Sequence, residues 1–303
     1  MLPSLLLLGG SGFIGQALTR KYAELGYTIH SMSRREFSAT LPGVHTYAAS
    51  LDETSLLDQL IPQCDLIIHT ASTCTPGSSA THPSKECEEN LLPLLRLIEA
   101  LSKHPPRQFI FLSSGGTVYG NPEHVRVNED APRLPISYHG AAKSAAELFL
   151  QAFSYTGYPV AILRPSNVYG PGQSGPAGFG LVRTILQHMR SGVPMEIWGD
   201  GTSLRDYLYI DDLIEAVTQV QQHGCTGIFN AGSGIGHSVL EVIACAEFVT
   251  HRKLAVNLKP ARISDVKGVV LDFRKLNEIT GWAPSTDLES GIRQTWEWLS
   301  HHQ

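Results

Sequence analysis

Cysteine is scarce in this 303-residue chain. The five residues Cys64, Cys74, Cys87, Cys225 and Cys245 are scattered and odd in number, and no Cys-x-x-Cys pair occurs. That excludes a disulfide framework and a paired-cysteine zinc site, and it fits a reducing, cytoplasmic compartment. No stretch offers about 18 consecutive uncharged apolar residues, so no membrane span is expected. The apolar run that begins at Leu5 has no basic side chain before it and is too short for the hydrophobic part of a secretory signal. Positive charge is not in excess. Lys and Arg number 23 against 28 Asp and Glu, a net charge of −5, which gives no reason to expect nucleic acid or an anionic membrane as a partner. Low-complexity tracts and evident internal repeats are lacking too. The thirteen histidines are dispersed, apart from a frayed His301-His302 end, and no metal site is expected. What remains is 42% hydrophobic and 17% charged, an ordinary globular composition with ample material for a large core. The length suits one large domain or two unequal ones.

Against that background, residues 5–15, LLLLGGSGFIG, stand out. An apolar run of strand length ends at Gly9. Gly12 and Gly15 follow at three-residue spacing, and then a helix-like stretch, QALTRKYAELG. Strand, glycine turn and helix open a dinucleotide-binding βαβ unit. Gly9 allows the tight turn, Gly12 lets the backbone approach a pyrophosphate, and Gly15 lets the helix pack close to the strand. Ser11 and the first-turn N–H groups of Phe13 and Ile14, with the helix dipole, then hold phosphate charge. Glycine triplets also arise by chance, and the plain alternative is a helix opening after a turn. The position at the first strand favours the dinucleotide.

Strand and helix patterns alternate through residues 1–170. GYTIHSMS, GVHTYAAS, CDLIIHTAS, RQFIFLSS and YPVAILRPSNVYG read as strands, and NLLPLLRLIEALSKH and AAKSAAELFLQAFSYTG as helices. Nearly continuous apolar strands alternating with helices predict an α/β fold: a Rossmann-type, doubly wound parallel sheet covered on both faces. Its ligand crevice lies at the carboxyl ends of the strands. Residues 171–303 are less regular. They predict a smaller, mixed α/β substrate-binding lobe, with some chain returning to the large sheet.

The residues now resemble the extended short-chain dehydrogenases that act on nucleotide sugars: UDP-glucose 4-epimerases, hexose dehydratases and 4-keto-sugar reductases. The likeness covers nearly the whole chain. It rests on GGSGFIG at 9–15, DLIIHTAS at 65–72, Asn90, SSGGTVYG at 113–120, HGAAKSAAE at 139–147 and RPSNVYGPG at 164–172. It continues through GDGTSLRDYLYIDD at 199–212, FNAGSG at 229–234 and GWAP at 281–284. The resemblance implies hydride transfer between a sugar carbon and nicotinamide. A tyrosine serves as acid and base, a lysine one helical turn later lowers its pKa and holds the ribose, and a nearby Ser or Thr bonds the reacting oxygen. Residues i and i+4 lie about 40° apart around a helix, so both reach one crevice. A phenol of pKa about 10 needs a nearby cation to work near neutrality.

Here the chain departs from the family pattern. The segment reads Ser137-Tyr138-His139-Gly140-Ala141-Ala142-Lys143. Anchored on Gly140 and Lys143, the tyrosine position holds His139, and Tyr138 lies about 140° from the lysine's direction in a regular helix. Three readings stay open. His139 replaces the tyrosine, since imidazole moves protons near pH 7; Tyr138 serves from an irregular helix start; or the site is damaged. The position of the active Ser or Thr holds Gly115, with Ser114 and Thr117 flanking it. Either hydroxyl can bond a substrate oxygen, or merely satisfy backbone groups after the strand.

The end of the second strand speaks to the cofactor. An acidic residue there would bond the NAD ribose 2′-OH. This chain has Ser33-Arg34-Arg35, which suits a 2′-phosphate and favours NADP over NAD. By resemblance, Asn167 contacts the nucleotide sugar, Arg205 pairs with its diphosphate, and Asp265 lies near the nucleotide. Paired arginines in a solvated loop, and an Arg205–Asp206 ion pair, are the bland alternatives. Asn90 stabilises local helix geometry, and Asp211 and Asp212 suit a helix N-terminus. The resemblance also implies a homodimer, with AAKSAAELFLQAF at 141–153 supplying one interface helix. The expected function is a 4-epimerase-like, NAD(P)-dependent enzyme acting on a nucleotide-linked hexose. The alternatives are an NADPH-dependent reductase of a 4-keto-hexose nucleotide and a catalytically impaired cofactor-binding or regulatory homologue.

Overall fold

A computed structural model describes residues 2–37, 40–74, 76–173, 180–260 and 266–302. Seven strands form the large sheet: β1 (Ser4–Leu8), β2 (Thr28–Ser33), β3 (Val44–Ala48), β4 (Leu66–His69), β5 (Gln108–Leu112), β6 (Val160–Pro165) and β7 (Gly227–Ala231). All are parallel, in the spatial order β3-β2-β1-β4-β5-β6-β7. The fold is therefore the expected Rossmann-type, doubly wound α/β sheet. Leu7 pairs with Ser31 on one side and with Ile68 on the other. The chain winds outward from β1 to β3 and returns to β4, so the crevice opens beyond the carboxyl ends of β1 and β4.

The apolar runs form strands because both faces of the sheet are covered. Leu5 and Leu7 enter one core with Ile68 and Ile110. Leu6 and Leu8 enter the other with Ile67 and Phe111. The four leucines of β1 are fully buried, and each contributes about 1.5–3 kcal/mol of transfer free energy.

The smaller sheet is built on Leu204–Tyr209, flanked by Gly236–Ser238 and Gly268–Leu271, with Arg126–Val127 beyond the latter. Residues 158–170 were expected as one strand and are two. Ser166 N–H still bonds Ala231 O at the end of β7 (2.9 Å), and the next segment, Asn167–Tyr169, pairs with Tyr207–Tyr209. Ala231 ends β7, so the edge of Leu204–Tyr209 supplies the next backbone partners. Met195–Trp198 and Val256–Lys259 form a further parallel pair. At the start of the helix Ile210–Gln222, Asp212 turns its carboxylate to Ser285 N–H (3.0 Å) and Thr286 N–H (3.1 Å), docking the segment before the last helix.

Beneath the crevice lies a buried ionic network. Arg164 on β6, 1% exposed, meets Glu147 of the helix Tyr138–Tyr155 with Nη2–Oε2 at 2.6 Å and Nε–Oε1 at 3.0 Å. Ser113 and Arg133 also donate to Glu147. Arg164 Nη1 donates to Tyr119 OH (2.7 Å), and that hydroxyl donates to Asn230 Oδ1 (2.7 Å) on β7. Removing one member of a buried pair strands the other charge. Glu147→Leu is expected to lower the unfolding free energy by about 3–5 kcal/mol, measured by urea denaturation. A loss below about 1 kcal/mol would mean that water reaches Arg164.

Candidate active site

The turn after β1 has the geometry that the glycine spacing predicts. Gly9 has φ +99°, and a Cβ there would fall 2.7 Å from Ala71 N. At Gly15 a Cβ would lie 2.2 Å from Gly9 O, so the close approach of helix to turn depends on glycine. Gly12 is exposed and caps the helix Phe13–Glu24 in extended conformation, with no side-chain bond to the first turn. The opening N–H groups of that helix have no partner within it and face its N-terminal end. Phe13 and Ile14 pack partly into the core, so their share in a phosphate site is through backbone amides.

A cavity of about 360 Å³ opens on this turn. Gly9, Ser11 and Gly12 line one end, Ser33, Arg34 and Arg35 another, and Ala49–Leu51 at the end of β3 extend it. A glycine cradle that a Cβ would fill, a helix N-terminus and two guanidiniums fit a dinucleotide. Ser33 Oγ donates to Arg35 O (2.9 Å), and Arg34 Nη1 lies 3.6 Å from Glu89 Oε2 across the cavity mouth. That ion pair is half exposed and weak.

The other side of the crevice holds a buried polar cluster. Ser137 caps the helix Tyr138–Tyr155 by accepting the Gly140 N–H (3.1 Å). The helix starts regularly there, which leaves Tyr138 51% exposed and turns His139 and Lys143 inward. Lys143 Nζ donates to Leu112 O at 3.0 Å and lies 4.8 Å from the Phe111 ring centre. Burial lowers its pKa to about 8 against the pull of Glu86 and Glu147. His139 Nδ1 lies 3.2 Å from Glu86 Oε1. Burial and Lys143 lower the imidazole's pKa, and Glu86 opposes them. His69, at the end of β4, is buried with both ring nitrogens unpartnered among the described residues. Burial first, then Lys143, pushes its pKa down to about 3.

Glu86 was not a candidate from the sequence. It belongs to an acidic stretch, KECEEN, that reads as solvated surface, and its partner is 53 residues away. Asn90 fits its expected role. Its Oδ1 accepts the Thr73 N–H (2.9 Å), and its Nδ2 donates to Glu86 Oε2 (2.9 Å).

Ser114 caps the short turn Gly115–Val118 without a side-chain bond, and the Thr117 hydroxyl is buried with no partner among the described residues. A Cβ on Gly115 would meet Leu271 Cδ1 at 2.4 Å, so Leu271 occupies the room a serine there would need. Asn167 is exposed beside Gly116 and donates to Asp206 O (2.9 Å). Arg205 is half-buried, its Nη1 donating to Leu204 O. Asp206 is buried and accepts backbone N–H bonds from Ser233 (2.8 Å), Gly234 (3.1 Å) and Leu271 (3.0 Å). These amides account for the burial of its carboxylate. Asp265 lies outside the described residues. No group of three metal-binding side chains occurs among the described residues, and no described helix is long and apolar enough to cross a membrane.

Strand order, glycine turn and buried helix lysine together define a Rossmann-type enzyme of the extended short-chain dehydrogenase class. Residues 5–232 match the model of the NAD-dependent epimerase/dehydratase family. The chain is 30% identical to the dTDP-4-dehydro-6-deoxyglucose reductase of Escherichia coli over 95% of this chain and 94% of that one. It is similar to the UDP-glucose 4-epimerase of Thermotoga maritima solved with UDP-glucose (29% identity, TM-score 0.91, 98% and 99% covered). It is likewise similar to that of Thermus thermophilus solved with NAD (28% identity, TM-score 0.92, 99% and 100% covered). The chain belongs to the NAD-dependent epimerase/dehydratase family.

His69 makes stability sensitive to acid. In the unfolded chain it titrates near 6.5, and in the fold it stays neutral to about pH 3. The unfolded state therefore binds more protons between these values. Stability is intact above pH 6.5 and falls as the pH drops toward 3. At pH 5 the loss is about 2 kcal/mol. His69→Leu should narrow the difference in unfolding free energy between pH 7 and pH 5 by about that amount, as read from urea curves. An unchanged difference would place water or a partner on the imidazole.

Proposed function

We propose that this enzyme is an NAD(P)-dependent, 4-epimerase-like isomerase of nucleotide-linked hexoses. One observation carries the reading: the glycine-turn cavity shares His69, Ala71 and Asn90 with a smaller pocket lined by Lys143, and the buried His139 lies on the same helix as that half-buried lysine. A bound nicotinamide dinucleotide would supply the hydride acceptor and donor for the sugar carbon. Gly9, Ser11, Gly12 and the Phe13 and Ile14 amides hold the pyrophosphate. Lys143, charged at neutral pH and anchored on Leu112 O, holds the ribose. His139 accepts the sugar hydroxyl proton on oxidation and returns it on reduction, so no net proton is exchanged. The unpartnered Thr117 hydroxyl bonds the reacting oxygen, with Ser114 beside it. Asn167 and Arg205 meet the sugar and the diphosphate, and the resemblance assigns Asp265 to the nucleotide. Tyr138 remains the rival proton carrier, although its exposure speaks against it.

Ser33, Arg34 and Arg35 favour NADP and support the reductase reading, as does the reductase relative. The deciding assay adds UDP-glucose to the purified protein and follows UDP-galactose by chromatography. Interconversion without added reductant is the expected result. NADPH oxidation by a 4-keto-hexose nucleotide, without interconversion, would replace it with the reductase. Cofactor binding with no turnover of either would indicate the regulatory homologue. Arg34→Ala and Arg35→Ala should each weaken NADPH binding about tenfold and leave NADH within about threefold. Equal losses for both would remove the NADP preference.

The protein is proposed to act as a cytoplasmic homodimer. All five cysteines are free, and the helix Tyr138–Tyr155 exposes Leu148, Phe149 and Tyr155 on its outer face. Phe149→Glu is expected to convert a dimeric elution, measured by light scattering, to a monomeric one. A wild-type monomer at micromolar concentration would overturn the assignment.

A further inference from the structure

We infer that Glu86 is the positioning carboxylate of His139, forming with it a Glu–His pair that sets the imidazole's tautomer for proton transfer. The inference rests on His139 being the proton carrier.

Glu86 is 2% exposed, and a carboxylate at such a site needs partners for both oxygens. It has them. Oε1 faces His139 Nδ1 at 3.2 Å, and Oε2 accepts from Asn90 Nδ2 at 2.9 Å. The direction of the second bond is fixed from behind. Asn90 Oδ1 accepts both the Thr73 N–H (2.9 Å) and the Thr73 hydroxyl (3.2 Å), so Asn90 can present only its amide donors to Glu86. The Glu86 carboxylate accepts from Asn90 and lies near Lys143. An ionised carboxylate only accepts, so His139 Nδ1 must carry the proton and Nε2 the lone pair. The chain Thr73, Asn90, Glu86, His139 starts on the wall of the dinucleotide cavity and ends at the imidazole.

The charges around His139 come from two sides. Lys143 on its own helix disfavours the imidazolium, and Glu86 on the facing turn favours it. Lys143 is itself faced by Glu147 and by neutral His69. Glu86 thus opposes the lowering that burial and Lys143 impose on the imidazole. It also orients a ring that would otherwise be free to flip. A tyrosine at position 139 would need no such partner, because its single hydroxyl has no tautomer to choose.

The test reads the imidazole directly. Long-range proton–nitrogen NMR of protein labelled in histidine, with His139 assigned from the His139→Gln variant, should show the Nδ1–H tautomer in the neutral wild type. Glu86→Gln removes the negative charge and should lower the His139 titration midpoint by about one pH unit or more. With UDP-glucose as substrate, kcat should fall at least about tenfold, KM should stay within about twofold, and the acid limb of the pH profile should move to lower pH. A buried residue with a packing role alone would change the melting temperature and leave the midpoint and limb in place, which would overturn the proposal. The wild-type spectrum decides without any variant: an Nε2–H tautomer also overturns it. If wild-type protein turns over no UDP-glucose, the functional reading is at fault, and the tautomer and titration still decide the pair.

Discussion

The buried pair of Arg164 and Glu147 is the constraint on which the crevice depends. Two charges out of water are tolerable only when each polar atom finds a partner. Here Ser113, Tyr119, Arg133 and the Glu129 carbonyl supply the rest. Those partners lie just after β5 (Ser113), in the turn that follows (Tyr119) and in the loop before the helix Tyr138–Tyr155 (Glu129 and Arg133), while the pair itself joins β6 to that helix. Asn230 extends the network to β7 and to Val127 of the small sheet. Satisfying one guanidinium therefore fixes the mutual placement of both sheets. Lys143 lies one turn before Glu147, so the same pair sets the depth at which the lysine enters the crevice.

Burial then sets the electrostatics above this base. Lys143, His139 and His69 are all drawn toward their neutral forms, and Glu86 and Glu147 resist on Lys143's behalf. Lys143 retains its charge near neutral pH, His69 has none, and His139 is left balanced between an anion and a cation. The same packing explains why Gly115 need not be a defect. Leu271 reaches into the space beside it, from the strand whose amide is tied to Asp206. Ser114 and Thr117 flank it in the same turn.

Much of this was legible in the residues. LLLL followed by glycines at 9, 12 and 15 specified a strand, a tight turn and a closely packed helix, because only glycine tolerates φ +99° at Gly9 or the approach at Gly15. The apolar strands alternating with helices specified the parallel sheet, since a strand buried on both faces must be apolar throughout. Lys143 was legible from its match to the family segment, three residues after Gly140. Three things were not. Ser166, where one apparent strand divides between two sheets, has no local signal, because the change of partner is decided by where β7 ends. Asp206 looked like half of an ion pair, yet its bonds go to backbone amides of a loop and a strand distant in sequence. Glu86 stands among other acids in KECEEN, and nothing local marks it for burial.

Local sequence thus determined the fold class, the dinucleotide turn and the helix that carries Lys143, because each depends on backbone sterics and hydrophobic period within a few residues. Tertiary structure alone decided the orientation of His139 and the burial of Glu86. It also brought Glu86 onto the pocket that adjoins the glycine-turn cavity. Those depend on contacts across 53 residues of chain, where the favourable pairing of a buried carboxylate with an imidazole exists only once two separate helical segments have been packed together.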